Sequence, residues 1–133
     1  MRSPIFGIIV AVVLSACGSA PNYPSLLAAC TDNGNSNKVC QCAVAKLAAN
    51  ADPDQLQTYV GLMDYSSDWV KTPEGKSSLE KAKQDGPLAQ ARLIFAIVAE
   101  AEKNQGLEPG EGKIIASRLG SMFLTDSVRA CQA

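Results

Sequence analysis

Gly86-Pro87-Leu88-Ala89-Gln90-Ala91-Arg92-Leu93-Ile94-Phe95-Ala96-Ile97-Val98-Ala99-Glu100-Ala101-Glu102-Lys103-Asn104-Gln105-Gly106 is the stretch that decides the fold class. Its centre, Leu93 to Ala99, is an unbroken apolar run, which suits a buried strand or a buried helix equally well. The flanks decide for helix. Ala, Arg, Glu and Lys are good helix formers, and the whole segment far exceeds the ~5–6 residues of a usual strand. Pro87 fits a first helical position, while Gly106 and Pro109 mark the end. A helix that is apolar all round is expected to be buried, so 87–105 is the expected hub of the core.

Towards the C-terminus a further helix begins near Glu111 and presents Ile115, Leu119, Met122 and Phe123. Thr125 or Asp126 then restarts it as a short helix carrying Val128 and Cys131. In the other direction, residues 76–84 suit a short polar helix, and 64–75, with Ser66-Ser67 and Thr72-Pro73-Glu74-Gly75, reads as loop. Asp52-Pro53-Asp54-Gln55 marks a helix start: Asp52 caps, Pro53 takes N1, and Gln55 stands where a capping-box partner reaches back. Leu56, Tyr59, Val60 and Met63 follow on one face. A helix over 37–50 has Ser36 as N-cap and Val39, Ala43 and Leu47 at helical spacing. The first helix starts at Pro24 and carries Leu26, Leu27 and Cys30. The polar run 32–37 stops it. Counted as a calcium loop from Asp32, that run has Gly34, Asn37 and Ala43 where an oxygen ligand, a glycine and a glutamate are needed, so it is a turn. The expected architecture is all-α, a compact bundle of about five helices stabilised by two disulfides.

The N-terminal end carries a different signal. Met1-Arg2-Ser3 is a short basic start, Ile5 to Leu14 is apolar, and Leu14-Ser15-Ala16-Cys17 closes the run. A membrane anchor needs ~20 apolar residues, and polarity returns at Ser15. A plain secretory signal prefers Ala-x-Ala before its cut. The stretch resembles the signal of bacterial lipoproteins, whose lipobox reads Leu, small, small, Cys. The resemblance implies that the Cys17 thiol receives a diacylglyceryl group and that the chain is cleaved ahead of it. It covers residues 1–17 alone and says nothing of the domain behind. The expected organisation is a signal peptide over 1–16, the lipidated Cys17 with a short tether over 17–23, and a helical domain over 24–133. In lipoproteins of this kind an Asp directly after the lipidated cysteine retains the protein in the inner membrane. Gly18 stands here, so a lipid anchor in the outer membrane, on its periplasmic face, is expected.

Four further cysteines, Cys30, Cys40, Cys42 and Cys131, suit a disulfide framework in an oxidising envelope. Cys40 and Cys42 on one helix point ~200° apart and cannot easily bond each other. One takes Cys30 and the other Cys131. Both pairings stay open, with a lean towards Cys30–Cys42 and Cys40–Cys131. The spacing does not match the paired knuckles of a zinc site, and no metal or cofactor is expected.

Of 12 basic and 13 acidic side chains, only Arg2 falls in the signal segment, so the net charge moves from −1 to about −2 on its removal. No basic cluster exists to hold nucleic acid. There is no histidine, which removes the commonest general base and every Ser-His or Cys-His pair. Gly75-Lys76-Ser77 lacks the upstream glycine of a phosphate loop, since Val70 stands there. Ser78-Leu79-Glu80-Lys81 lacks, downstream, the companion motifs of the penicillin-binding proteins. Carboxylates are the remaining route to catalysis: Asp64 with Asp68, or Glu100 with Glu102, each pair reading better as solvated surface than as an acid–base couple across a cleft. Tyr59, Tyr65 and Trp69 form the one aromatic concentration, either core edge or a recognition patch. The expected function is therefore a non-enzymatic, lipid-anchored helical module that binds or spaces something at the envelope, an envelope protein being the expected partner. An inhibitory or ligand-binding lipoprotein using the aromatic patch stands second, and a small carboxylate-based cell-wall hydrolase third.

Overall fold

Prolines set the rhythm of the chain: Pro24, Pro53, Pro73 and Pro87 each occupy a first helical position, where the missing N–H costs nothing. The computed structural model describes residues 22–132, and no strand occurs among them. The elements are α1 (Pro24–Asp32), α2 (Asn37–Asn50), α3 (Pro53–Lys71), α4 (Pro73–Asp85), α5 (Pro87–Asn104) and α6 (Glu111–Ser121). A π-helical segment, Met122–Ser127, then leads into a final turn, α7 (Val128–Gln132). The all-α bundle thus holds six helices of nine residues or more, close to the five expected. Residues 1–16, Cys17 and most of the tether lie outside the described residues.

Local chemistry explains the boundaries. Ser36 accepts the Val39 N–H at 3.2 Å, and Asp52 accepts those of Asp54 and Gln55 at 3.0 and 3.1 Å. Gln55 does not complete a capping box. Its side-chain oxygen accepts instead from Arg118 on α6 at 3.4 Å. The expected loop over 64–75 is absent, because α3 runs through Ser66 and Ser67 to Lys71. Ser66 bonds the Leu62 carbonyl at 2.8 Å, which lets a serine sit inside a helix. Thr72 alone separates α3 from α4. Its hydroxyl donates to the Trp69 carbonyl at 2.6 Å and accepts the Gly75 N–H at 3.0 Å, closing one helix and opening the next. At the C-terminal end no restart occurs at Thr125 or Asp126. The wider π turn carries the chain through, with Phe123 and Ser127 facing inward.

The core does not lie where the most apolar segment is. Leu26, Cys40, Val44, Leu47, Tyr59, Leu119 and Phe123 are all but inaccessible and form one cluster from α1, α2, α3, α6 and the π segment. The helix in contact with α1, α4, α5 and α6 is α3. In α5 only Ile97, Ala101 and Glu102 are buried, while Leu88, Ile94 and Phe95 are 65, 58 and 51% exposed. The expected hub is a flank. A helix is covered only where neighbours exist, and α5 rests on α3, α4 and α6 with its remaining surface free.

Two disulfides close the framework: Cys30–Cys40, with Cα atoms 5.7 Å apart, and Cys42–Cys131, at 6.0 Å. Cys40 and Cys42 avoid each other as helix geometry requires, but the favoured pairing is reversed. Cys40 shares the buried stripe of Ala43, Val44 and Leu47, which faces α1 and therefore Cys30. Cys42 is turned round to the half-buried side, where α7 brings Cys131.

Candidate functional site

Helix periodicity divides the aromatic trio. Tyr59 lies six residues before Tyr65, a rotation that leaves the two about 120° apart on α3. Tyr59 follows Leu56 and precedes Leu62 on the core face and is 2% exposed. Burial pushes its phenol up to about 12. It is a core residue and leaves the recognition patch. Tyr65 and Trp69 remain half-buried, one turn apart, on the side of α3 that meets α5.

There they line a groove of about 220 Å³ together with Leu93, Ala96 and Ile97 of α5. Glu74, in the first turn of α4, and Glu100 of α5 complete its lining. The Thr72 corner sets this geometry. Gly75 is buried against the end of α3, and a β-carbon there would collide with the Trp69 carbonyl oxygen. A small residue at 75 lets α4 turn back tightly beside Trp69, which brings Glu74 to the groove. Apolar walls with a few polar groups at the margin have the shape and chemistry to suit an apolar or aromatic group.

The carboxylates take unrelated posts. Asp64 accepts the Ser25 hydroxyl at 2.6 Å and so ties α1 to α3, and Asp68 is exposed. Glu100 stands in water, 3.5 Å from Lys103, with its side chain 61% exposed. Glu102 is no surface residue. It is 6% exposed, and its Oε2 accepts the Gly112 N–H at 2.6 Å and the Lys113 N–H at 3.3 Å. The start of α6 is Gly110, which has no side chain to cap with, and the carboxylate of α5 supplies the missing acceptor from outside. In the sequence the only sign of this role is a glycine at a helix start and another at 112, where something must approach closely. Neither proposed carboxylate pair converges on a shared space. No group of three or more metal-ligating side chains gathers among the described residues.

A second hollow, about 380 Å³, lies between the α1–α2 turn and the π segment, beside Asn35, Thr125, Arg129 and Gln132. Two of its carboxamides are already engaged: Gln132 donates to Asn35 at 3.2 Å, and Asn35 donates to the Cys30 carbonyl at 3.1 Å. These bonds fasten the chain end to the first turn. No protein-family model, curated protein or solved structure matches this chain.

Proposed function

We propose that this chain is a lipid-anchored envelope protein, non-enzymatic, whose helical domain binds a partner protein through the Tyr65–Trp69 groove. The observation that carries this reading is the groove itself: two half-buried aromatic rings facing Leu93, Ala96 and Ile97, with Glu74 and Glu100 at the margin. Buried aromatic anchors dominate the energetics of protein interfaces, whereas exposed charge pairs contribute ~0–1 kcal/mol. The lipobox resemblance at Leu14-Ser15-Ala16-Cys17 supports the anchor, and Gly18 supports the outer membrane. The absence of histidine and the separate structural posts of Asp64 and Glu102 favour binding over hydrolysis.

The test is photo-crosslinking in the membrane, with a photoreactive residue replacing Glu74 in the lipidated protein. A discrete crosslinked partner is expected, and Trp69→Ala should abolish it while circular dichroism stays unchanged, an affinity loss of about 2 kcal/mol or more. Crosslinking that persists in folded Trp69→Ala places the partner elsewhere. Unfolding by Trp69→Ala makes the ring a core support and removes the groove reading. Cys17→Ser should leave the signal peptide uncleaved. Recovery of processed, unlipidated protein in the soluble periplasm would defeat the anchor.

A further inference from the structure

The free side of α5 has a regular composition. Leu88, Arg92, Phe95, Ala99 and Lys103 recur at helical spacing along one stripe, and all five are exposed. The start of α6 extends it: Lys113 Nζ sits 4.5 Å from the centroid of the Phe95 ring, and Ile114 beside it is 60% exposed. Arg118 follows one turn later, also exposed. Glu111, the one acidic side chain of α6, is folded back onto the Glu108 N–H. The surface therefore sets Arg92 and Lys113 among large apolar side chains, while Lys103 is paired with Glu100 at 3.5 Å and Arg118 donates to Gln55 at 3.4 Å.

We infer that this face of α5 and α6 lies on the bilayer, with Leu88, Phe95 and Ile114 entering the headgroup–acyl boundary and Arg92 and Lys113 reaching the phosphates. The inference rests on the lipid anchor proposed above. Six residues, Gly18 to Tyr23, separate Cys17 from Pro24, a contour of at most about 25 Å. On such a tether the start of α1 stays within about 25 Å of the bilayer, so the surface of the domain meets it repeatedly and the exposed apolar face has the most to gain by staying. Long basic side chains suit this position, because their stems lie along apolar surface while the charge stays at the headgroups. A second copy of the chain fits less well. A two-fold interface would set Arg92 and Lys113 of one copy against the same cations of its partner. Among the described residues no helix is long and apolar enough to cross a membrane, so the contact runs along the surface. Ile97, which lines the Trp69 groove, points about 200° round α5 from Phe95, so the groove stays open to a partner.

The test uses mature lipidated protein in vesicles of phosphatidylethanolamine and phosphatidylglycerol carrying brominated acyl chains. Trp69→Phe removes the single native tryptophan, and Phe95→Trp or Lys46→Trp then supplies one reporter, Lys46 being exposed on α2. Emission from Phe95→Trp should be blue-shifted and quenched about twofold or more relative to Lys46→Trp. Leu88→Trp serves if Phe95→Trp fails to fold by circular dichroism. Equal quenching, or none, in protein that floats with the vesicles overturns the membrane face and leaves the anchor standing. Protein that does not float refutes the anchor and this proposal together. A blue shift without quenching, lost on diluting the protein in lipid, assigns the face to a second copy and also overturns it.

Discussion

Tyr59 shows what a single buried hydroxyl does to stability. Its phenol ordinarily titrates near 10 and is raised to about 12 by burial in the folded chain. Between those values the unfolded chain has released the proton and the folded chain has kept it, so unfolding is favoured as pH rises. The stabilising contribution is complete below pH 10 and disappears through pH 12, at about 1.4 kcal/mol per pH unit in that window. Urea titrations at pH 9 and pH 11 should show this loss in the wild type and a reduced loss in Tyr59→Phe. Equal slopes for the two proteins would assign the alkaline sensitivity to other groups. Glu102 is the other residue whose post was not legible. Its neighbours in sequence, Ala101 and Lys103, give no sign that it is turned towards a helix start ten residues further on.

At the scale of the element, the α3–α4 corner carries the most consequence. Gly75 is a poor helix former, and Ala in its place would normally gain about 1 kcal/mol. Here the added methyl meets the backbone of α3 at Trp69, and the two helices must part. Gly75→Ala should therefore destabilise by about 1–3 kcal/mol net, the usual cost of overpacking, and shift the emission of the single tryptophan. Thr72→Ala, which removes a cap without a clash, should cost about 1 kcal/mol. If Gly75→Ala instead raises the urea midpoint, the corner is looser than the distances say. Thr72-Pro73-Glu74-Gly75 is turn chemistry, but a shared cap needs one residue and no loop. The starts of α2 and α3 were legible because Ser36 and Asp52 act on backbone N–H groups two or three residues away, and such contacts depend on nothing distant.

For the whole molecule, Cys42–Cys131 is the closure with the longest reach, spanning 89 residues, against 10 for Cys30–Cys40. A chain-entropy estimate gives about 4–5 kcal/mol for the long loop and about 3 for the short one. Against a total of ~5–15 kcal/mol, the paired change Cys42→Ala with Cys131→Ala should leave the domain marginal, with a lowered urea midpoint and early exposure of α7 to protease. Non-reducing peptide maps of the wild type should join Cys30 to Cys40 and Cys42 to Cys131. A map joining Cys30 to Cys42 would reverse the assignment of the α2 faces.

Composition and local chemistry were sufficient for the helical class, for most helix starts, for the count of disulfides and for the rule that Cys40 and Cys42 do not pair. Each of these depends on backbone geometry and on residues within about one turn. Tertiary structure alone decided which side of α2 faces α1, which aromatic of α3 is core, and that the most apolar segment is a flank. Leu93 to Ala99 is hydrophobic in every direction, and hydrophobicity has no direction of its own. Burial is conferred by neighbours, and the residues that supply them, Tyr59, Glu102 and Phe123 among them, come together only when the chain has folded.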